Sequence, residues 1–186
     1  MREIIKRNIN GRKVLLLFIL TNIIYAIMMT VTIPKVMTNT SGLKLLDMMP
    51  GGYTAEYVNT LFNNLSERGR NAYLFMQLPV DMIYPFLFAI SSCLVLAYLL
   101  NKLKKLEGRL FYFCFIPFFA GAFDYCENIG IITMLNKYPN NPDLLSEVTS
   151  VFTVLKSSCT VIYFMILITL LIVVAVRKFS AESIRV

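Results

Sequence analysis

Not one histidine occurs among the 186 residues. Histidine is the commonest metal ligand and the commonest general base. Its absence removes the usual zinc-dependent membrane hydrolases in practice. The four cysteines, Cys93, Cys114, Cys126 and Cys159, form no CxxC, and all fall inside apolar runs. Neither a disulfide framework nor a thiol redox pair is expected, and each cysteine reads as a small packing residue. GxSxG, HExxH and a paired-aspartate metal signature are also missing. The sequence therefore implies no metal and no cofactor. Charge is scarce as well: 16% of residues are charged against 57% hydrophobic. Ordinary globular chains are about 45–50% apolar, so a soluble domain is excluded.

What the chain does contain is four apolar runs, 14–33, 73–100, 111–135 and 148–176. Each meets the length of about 20 residues needed to cross a bilayer as a helix. The fold class expected is all-α, an integral membrane bundle of four transmembrane helices forming a single domain, 1–186. The first run lacks a small-residue cleavage site and exceeds a signal-peptide core of about 7–15 residues, so it is expected to remain as a span.

The net charge of +7 could suggest a nucleic-acid partner, but its distribution argues otherwise. Twelve of the eighteen Lys and Arg lie in Arg2–Lys13, Lys102–Arg109 and Arg177–Arg185, each flanking an apolar run. The segments 34–72 and 136–147 hold five between them. By the positive-inside rule, both termini are expected to be cytoplasmic, in a plasma or bacterial inner membrane. No nucleic-acid partner is expected.

The loop 34–72 is long enough to hold structure of its own. After Pro50, Gly51 and Gly52, the residues Tyr57, Val58, Leu61, Phe62 and Leu65 recur at helical spacing. They predict a short amphipathic helix over about 54–68, with Gly69 as its C-cap. That helix either covers the mouth of the bundle or rests on lipid headgroups. Asn39-Thr40-Ser41 and Asn64-Leu65-Ser66 match the glycosylation pattern.

Polar residues inside the spans carry the functional argument. The stretch FDYCENIG, 123–130, puts Asp124, Glu127 and Asn128 within about 100° of one another on a helix. Ala122, Cys126 and Gly130 read as a small-residue face for close packing on the other side. Span 2 lines up Gln77, Asp81, Tyr84, Phe88 and Ser92, and span 4 lines up Thr149, Thr153, Lys156, Thr160 and Tyr163. Span 1 offers Asn22 and Tyr25. At 1.5 Å per residue, Asp81, Glu127, Lys156 and Tyr25 lie at nearly one depth, about 12 Å below the outer ends of their spans. An ionised Asp or Lys costs about 2.5–3.5 kcal/mol near a helix centre, so four such groups facing lipid would cost about 10 kcal/mol. They are expected to face inward, around a polar pocket open to the outside; the alternative is that Lys156 snorkels to the outer headgroups and Asp81 sits at the interface. Pro85 removes the helical hydrogen bond to the carbonyl of Asp81, which becomes either a cation ligand or a simple packing bend. Pro79 and Pro117 are expected to kink spans 2 and 3.

Three acids and one lysine, all ionised, would leave a charge of −2 in a low-dielectric pocket, which calls for protons or a cation. The leading reading is binding or transport of a proton, a small cation or an amine-bearing amphiphile. In it Asp81, Asp124 and Glu127 hold the positive charge and Lys156 is an exchangeable counter-ion. Tyr25, Tyr84 and Asn128 orient the ligand, and Gln77 and Thr153 complete the polar lining. The second reading is an accessory subunit, a homo-oligomer or the companion of another membrane protein, whose polar layer fixes helix register. The third is an intramembrane enzyme on a lipid-like substrate, with a carboxyl and the lysine as acid and base. In all three the lipid bilayer is the surrounding partner.

Overall fold

The computed structural model describes residues 2–38 and 40–183. Among them no strand occurs, and four helices are long and apolar enough to cross a membrane. They are span 1 (Gly11–Met37), span 2 (Glu67–Lys102), span 3 (Arg109–Lys137) and span 4 (Asp143–Lys178). Every apolar run of the sequence lies inside one of them, and the protein is an all-α, multi-pass membrane bundle. The helices overrun the apolar stretches because polar residues start them. Asn10 accepts a hydrogen bond from the Arg12 N–H at 3.0 Å to cap span 1. Ser66 does the same for span 2 by accepting from the Gly69 N–H at 3.1 Å.

Span 1 packs on span 2, span 2 on span 3, and span 3 most extensively on span 4, which also reaches span 2. Spans 1 and 4 have no comparable contact. Leu15, Leu16, Ile19 and Ile23 of span 1, and Phe164, Met165 and Ile168 of span 4, are exposed large apolar side chains. Such continuous apolar surface belongs against lipid. The buried apolar residues form two clusters. One lies at the end that carries the 34–72 loop, around Leu78, Ile131 and Met134. The other lies at the opposite end, around Leu96, Leu100 and Phe111. The polar residues of the spans sit between them.

Prolines begin helical segments here and do not interrupt them. Pro34, Pro79, Pro85 and Pro117 all occupy one of the first two positions of an α-helical stretch. There the missing N–H is an orphan in any case. Pro117 follows a 3₁₀ segment, Arg109–Phe115, and Pro79 follows a π-helical turn, Tyr73–Gln77. The irregularity expected as a kink at these two prolines is thus a change of helix type just before each. Span 1 has a matching π-helical turn at Met28–Thr32.

The loop helix runs over Ala55–Asn64, shorter than the 54–68 expected. Gly69 is not its C-cap; it lies buried within the first turn of span 2. The cause is Ser66, whose hydroxyl is a better start signal for span 2 than Gly69 is a stop signal for the helix before it. Val58, Leu61, Phe62 and Leu65 are fully buried against the end of the bundle, so the helix is a lid on protein and does not rest on headgroups. Each such side chain removed from water contributes about 1.5–3 kcal/mol. The Arg70 guanidinium pins the turn by donating to the carbonyls of Phe62, at 2.9 Å, and Leu65. Gly52, at φ +83°, lets the loop dip onto span 4, where a Cβ would lie 2.7 Å from the Ser150 hydroxyl oxygen. The next residue, Tyr53, donates its backbone N–H to that hydroxyl at 2.7 Å.

At the other end the three basic segments converge. Lys6 and Arg2, on a short helix Arg2–Asn8, form ion pairs with Glu107 of the loop between spans 2 and 3. Arg177 of span 4 donates to the carbonyl of Leu103 at 3.3 Å. Arg185, like Asn39 of the first glycosylation pattern, lies outside the described residues.

The expected small-residue packing face of span 3 is corrected by the structure. Ala122 and Cys126 are exposed, so only one side of the helix is packed at that level. The close contacts fall at Gly121 and Gly130. A Cβ on Gly121 would come within 3.0 Å of the Pro85 carbonyl oxygen of span 2. One on Gly130 would come within 2.2 Å of the Thr149 hydroxyl of span 4. Cys93 and Cys114 are buried as expected of packing residues, whereas Cys126 is on the surface.

Candidate functional site

The polar stripes of spans 2, 3 and 4 do meet. Lys156 of span 4 reaches across to span 3 and contacts both acids there, Asp124 at 3.1 Å and Glu127 more closely. Thr153, one turn earlier on span 4, donates its hydroxyl to the other Glu127 oxygen at 2.8 Å. Glu127 and Thr153 are completely buried and Asp124 nearly so. One ammonium between two carboxyls, with a hydroxyl behind, offsets the cost of removing these charges from water, because every charge has an opposite partner within hydrogen-bond reach.

Asn128 serves a different purpose from the one expected. Its side-chain amide donates to the Asp81 carbonyl at 3.4 Å, the group left without a helical donor by Pro85. The bend in span 2 is therefore closed by span 3, and that carbonyl is not a free cation ligand. The Asn128 side-chain carbonyl oxygen is buried without a hydrogen-bond partner among the described residues.

Gln77 belongs to a second polar group, near the lid end. Its amide N–H donates to Asp47 at 3.2 Å, and its carbonyl accepts from the Thr32 hydroxyl. Tyr73 donates to the other Asp47 oxygen at 3.0 Å. Thr32 and Gln77 sit in the π-helical turns of spans 1 and 2, so this chain of bonds ties the two turns to each other and to the loop. π-Turns recur at functional sites, where the widened turn re-aims side chains.

Between the two groups lies a cavity of about 400 Å³. All four spans and the loop contribute to its walls. Asp81, Asp124 and Lys156 face it, with Asp47 on the loop side and Tyr25 and Tyr84 on the span 1 side. Phe88 continues an aromatic row across its wall: Tyr25 to Tyr84 at 5.7 Å, Tyr84 to Phe88 at 5.7 Å, and Phe88 to Tyr163 at 5.4 Å. Glu127, Asn128, Gln77 and Thr153 are not on the cavity wall; they stand behind those that are. The loop residues Asp47, Met48 and Pro50 lie across the lid end. On the side where spans 1 and 4 face each other, Tyr25, Met29 and Val161 are 45%, 39% and 57% exposed. The cavity thus has an open rim on the lipid side, in addition to the exposed Pro50 at the lid end.

Asp81 is the exception to the general pairing. It is 3% exposed, and it faces the cavity. Among the described residues its carboxyl takes part in no hydrogen bond or ion pair.

Two features escaped the sequence reading. Asp47 lies outside the apolar runs, although its surroundings, LLDMMP at 45–50, form an unusually apolar frame for one acid in a loop. Thr21, buried, donates to the Ser91 hydroxyl at 2.9 Å and supplies a polar contact between spans 1 and 2. Asn22 is exposed and bonds back to the Phe18 carbonyl at 2.7 Å. A threonine that can satisfy itself on its own helix gives no sequence signal.

Fold and site together define a multi-pass helical membrane protein with an acidic cavity walled by all four of its spans. No protein-family model, curated protein or solved structure matches the chain.

Proposed function

We propose that the protein binds a positively charged group, a proton, a small cation or an amine, in the intramembrane cavity at Asp81, and that this binding serves reception or transport. The observation that carries the reading is the buried Asp81 carboxyl, which faces the cavity and makes no hydrogen bond or ion pair among the described residues. Buried ionisable groups are retained within membrane segments chiefly where they act on a ligand, an ion or a proton. Asp124 and Glu127 share Lys156, so an arriving cation meets Asp81 first, with Asp47 across the cavity. The positive-inside rule, applied to the basic segments that meet at one end, puts that end and both termini in the cytoplasm. The lid then faces outward, in a plasma or bacterial inner membrane.

The test compares Asp81→Asn with the parent protein in lipid nanodiscs and in proteoliposomes. Heat stability and an imposed-gradient proton or cation flux are measured on both. The expected result is loss of ligand-induced stabilisation, or of flux, in a variant that melts with or above the parent. An Asp81→Asn protein that binds and conducts like the parent ends the reading.

The accessory reading has one observation in its favour. Lys156, Asp124, Glu127 and Thr153 contact one another across spans 3 and 4, as a device for fixing helix register would. Asp81 is what such a device leaves unexplained.

A further inference from the structure

We infer that the ligand is the amine end of an amphiphile that enters sideways from the bilayer between spans 1 and 4. This rests on the proposed function and names the class of ligand. Spans 1 and 4 both line the cavity without substantial packing on each other, and the exposed rim residues Tyr25, Met29 and Val161 flank that gap. A cavity of about 400 Å³ is far larger than a bare ion needs and falls in the range of organic-ligand sites. Among the described residues no set of three acids or thiols is grouped to hold a metal ion.

The wall is divided to match a head and a tail. Its acids, Asp47, Asp81 and Asp124, are buried or half-buried, while Met28, Met29 and Val161 extend an apolar surface toward the rim. Methionine is unbranched and adaptable, suited to hydrocarbon of variable shape. The tilted pair of Tyr25 and Tyr84 offers ring faces beside the entry path, where a passing ammonium is attracted. A water-soluble amine would leave this apolar rim with nothing to cover it. A neutral lipid would leave Asp81 unmatched.

The experiment uses the full chain in zwitterionic nanodiscs and three probes. These are a dodecylamine with a photoreactive diazirine in its tail, the chain-matched alcohol, and ethylamine in large excess as competitor. Adducts are mapped by mass spectrometry. The expected result is adduct formation at the span 1 and span 4 rim by the alkylamine, about tenfold or more above the alcohol. Asp81→Asn should lower alkylamine labelling by a similar factor. Val161→Trp, a change on the lipid-facing rim that leaves the interior untouched, should slow labelling several-fold while melting with the parent. It also keeps the test decisive if Asp81→Asn fails to fold.

Ethylamine that protects the site overturns the amphiphile and leaves the cation site standing. Labelling of Val161→Trp at the parental rate overturns the sideways route. Equal labelling by amine and alcohol, unchanged in Asp81→Asn, overturns the cation site itself.

Discussion

Replacing Lys156 by methionine keeps most of the side-chain volume and removes one charge. The ammonium it removes contacts Asp124 at 3.1 Å and Glu127 more closely. Afterwards Glu127, fully buried, keeps only the Thr153 hydroxyl at 2.8 Å, and Asp124 keeps no hydrogen bond or ion pair on its carboxyl among the described residues. Removing one member of a buried ion pair typically costs about 3–5 kcal/mol, because the remaining charge is stranded. For a chain of this size each kcal/mol shifts the melting midpoint by about 2–4 °C, so Lys156→Met should melt about 6–20 °C below the parent. The companion is the triple variant Lys156→Met, Asp124→Asn, Glu127→Gln, which removes the stranded charges together with the ammonium. It should recover to within about 1 kcal/mol, since neutralising a whole buried network is often close to neutral. Both are measured by thermal unfolding in one lipid nanodisc composition. A single variant that melts with the parent would show that the ammonium is not holding the acids. A triple variant as unstable as the single would show that lysine packing, not charge, is what matters.

The bend at Pro85 predicts a coupled pair. Asn128→Ala alone should cost about 1–3 kcal/mol by leaving the Asp81 carbonyl bare, and much less once Pro85→Ala supplies a backbone donor, as read from the thermal double-mutant cycle. Gly130→Ala drives a methyl into Thr149 and should destabilise by about 1–3 kcal/mol in the same melting assay, with partial recovery in Thr149→Gly. Phe62→Ala should cost about 3–5 kcal/mol and speed amide exchange across Ala55–Asn64, since the lid is held by its buried face. At the basic end, Lys6 beside Glu107 holds that carboxyl below the ordinary range, and the same contact raises Lys6. The attachment of Arg2–Asn8 is thus intact above the usual carboxylate range and lost as pH falls through the lowered Glu107 value. The protection of the amides over residues 2–8, taken relative to their intrinsic exchange rate at each pH, should fall in acid and stay unchanged between pH 6 and 8, the ordinary carboxylate range of about 4 lying well below that window.

The four spans were legible because hydrophobic length is a one-dimensional property, and so was the inward direction of Asp81, Asp124 and Lys156, whose cost in lipid favours the interior over the interface. Partner choice was not legible. Asn128 and Asp124 share one face of one helix, yet one closes a backbone bend on span 2 while the other binds an ammonium on span 4. That division depends on helix rotation and crossing, which no spacing within a single span encodes. Asp47 was missed for a related reason: a loop residue enters a membrane cavity only if its loop folds back. The folding back depends on Gly52 and Tyr53 meeting Ser150, a contact 97 residues apart in the chain. Asn22, exposed to the outside of the bundle, and the small-residue stripe mark the angular limit of the method. An ideal helix wheel drifts wherever the real helix changes its pitch.

The π-helical turn Met28–Thr32 makes that drift consequential for inheritance as well as for geometry. Such a turn carries one more residue than an α-turn of the same height. Deleting a single residue there would let span 1 close into a regular helix without shortening its reach across the bilayer. Because the widened and the regular turn each close about one revolution, the residues before the deletion would keep their direction, with Tyr25 still against Tyr84 and Thr21 still against Ser91. Deleting one residue from the regular helix that precedes it, Gly11–Ile27, would instead rotate the residues on its N-terminal side by about 100°. The π-turn is therefore a place where span 1 tolerates the loss of a residue, and the regular helix beside it one where the same loss turns the cavity wall.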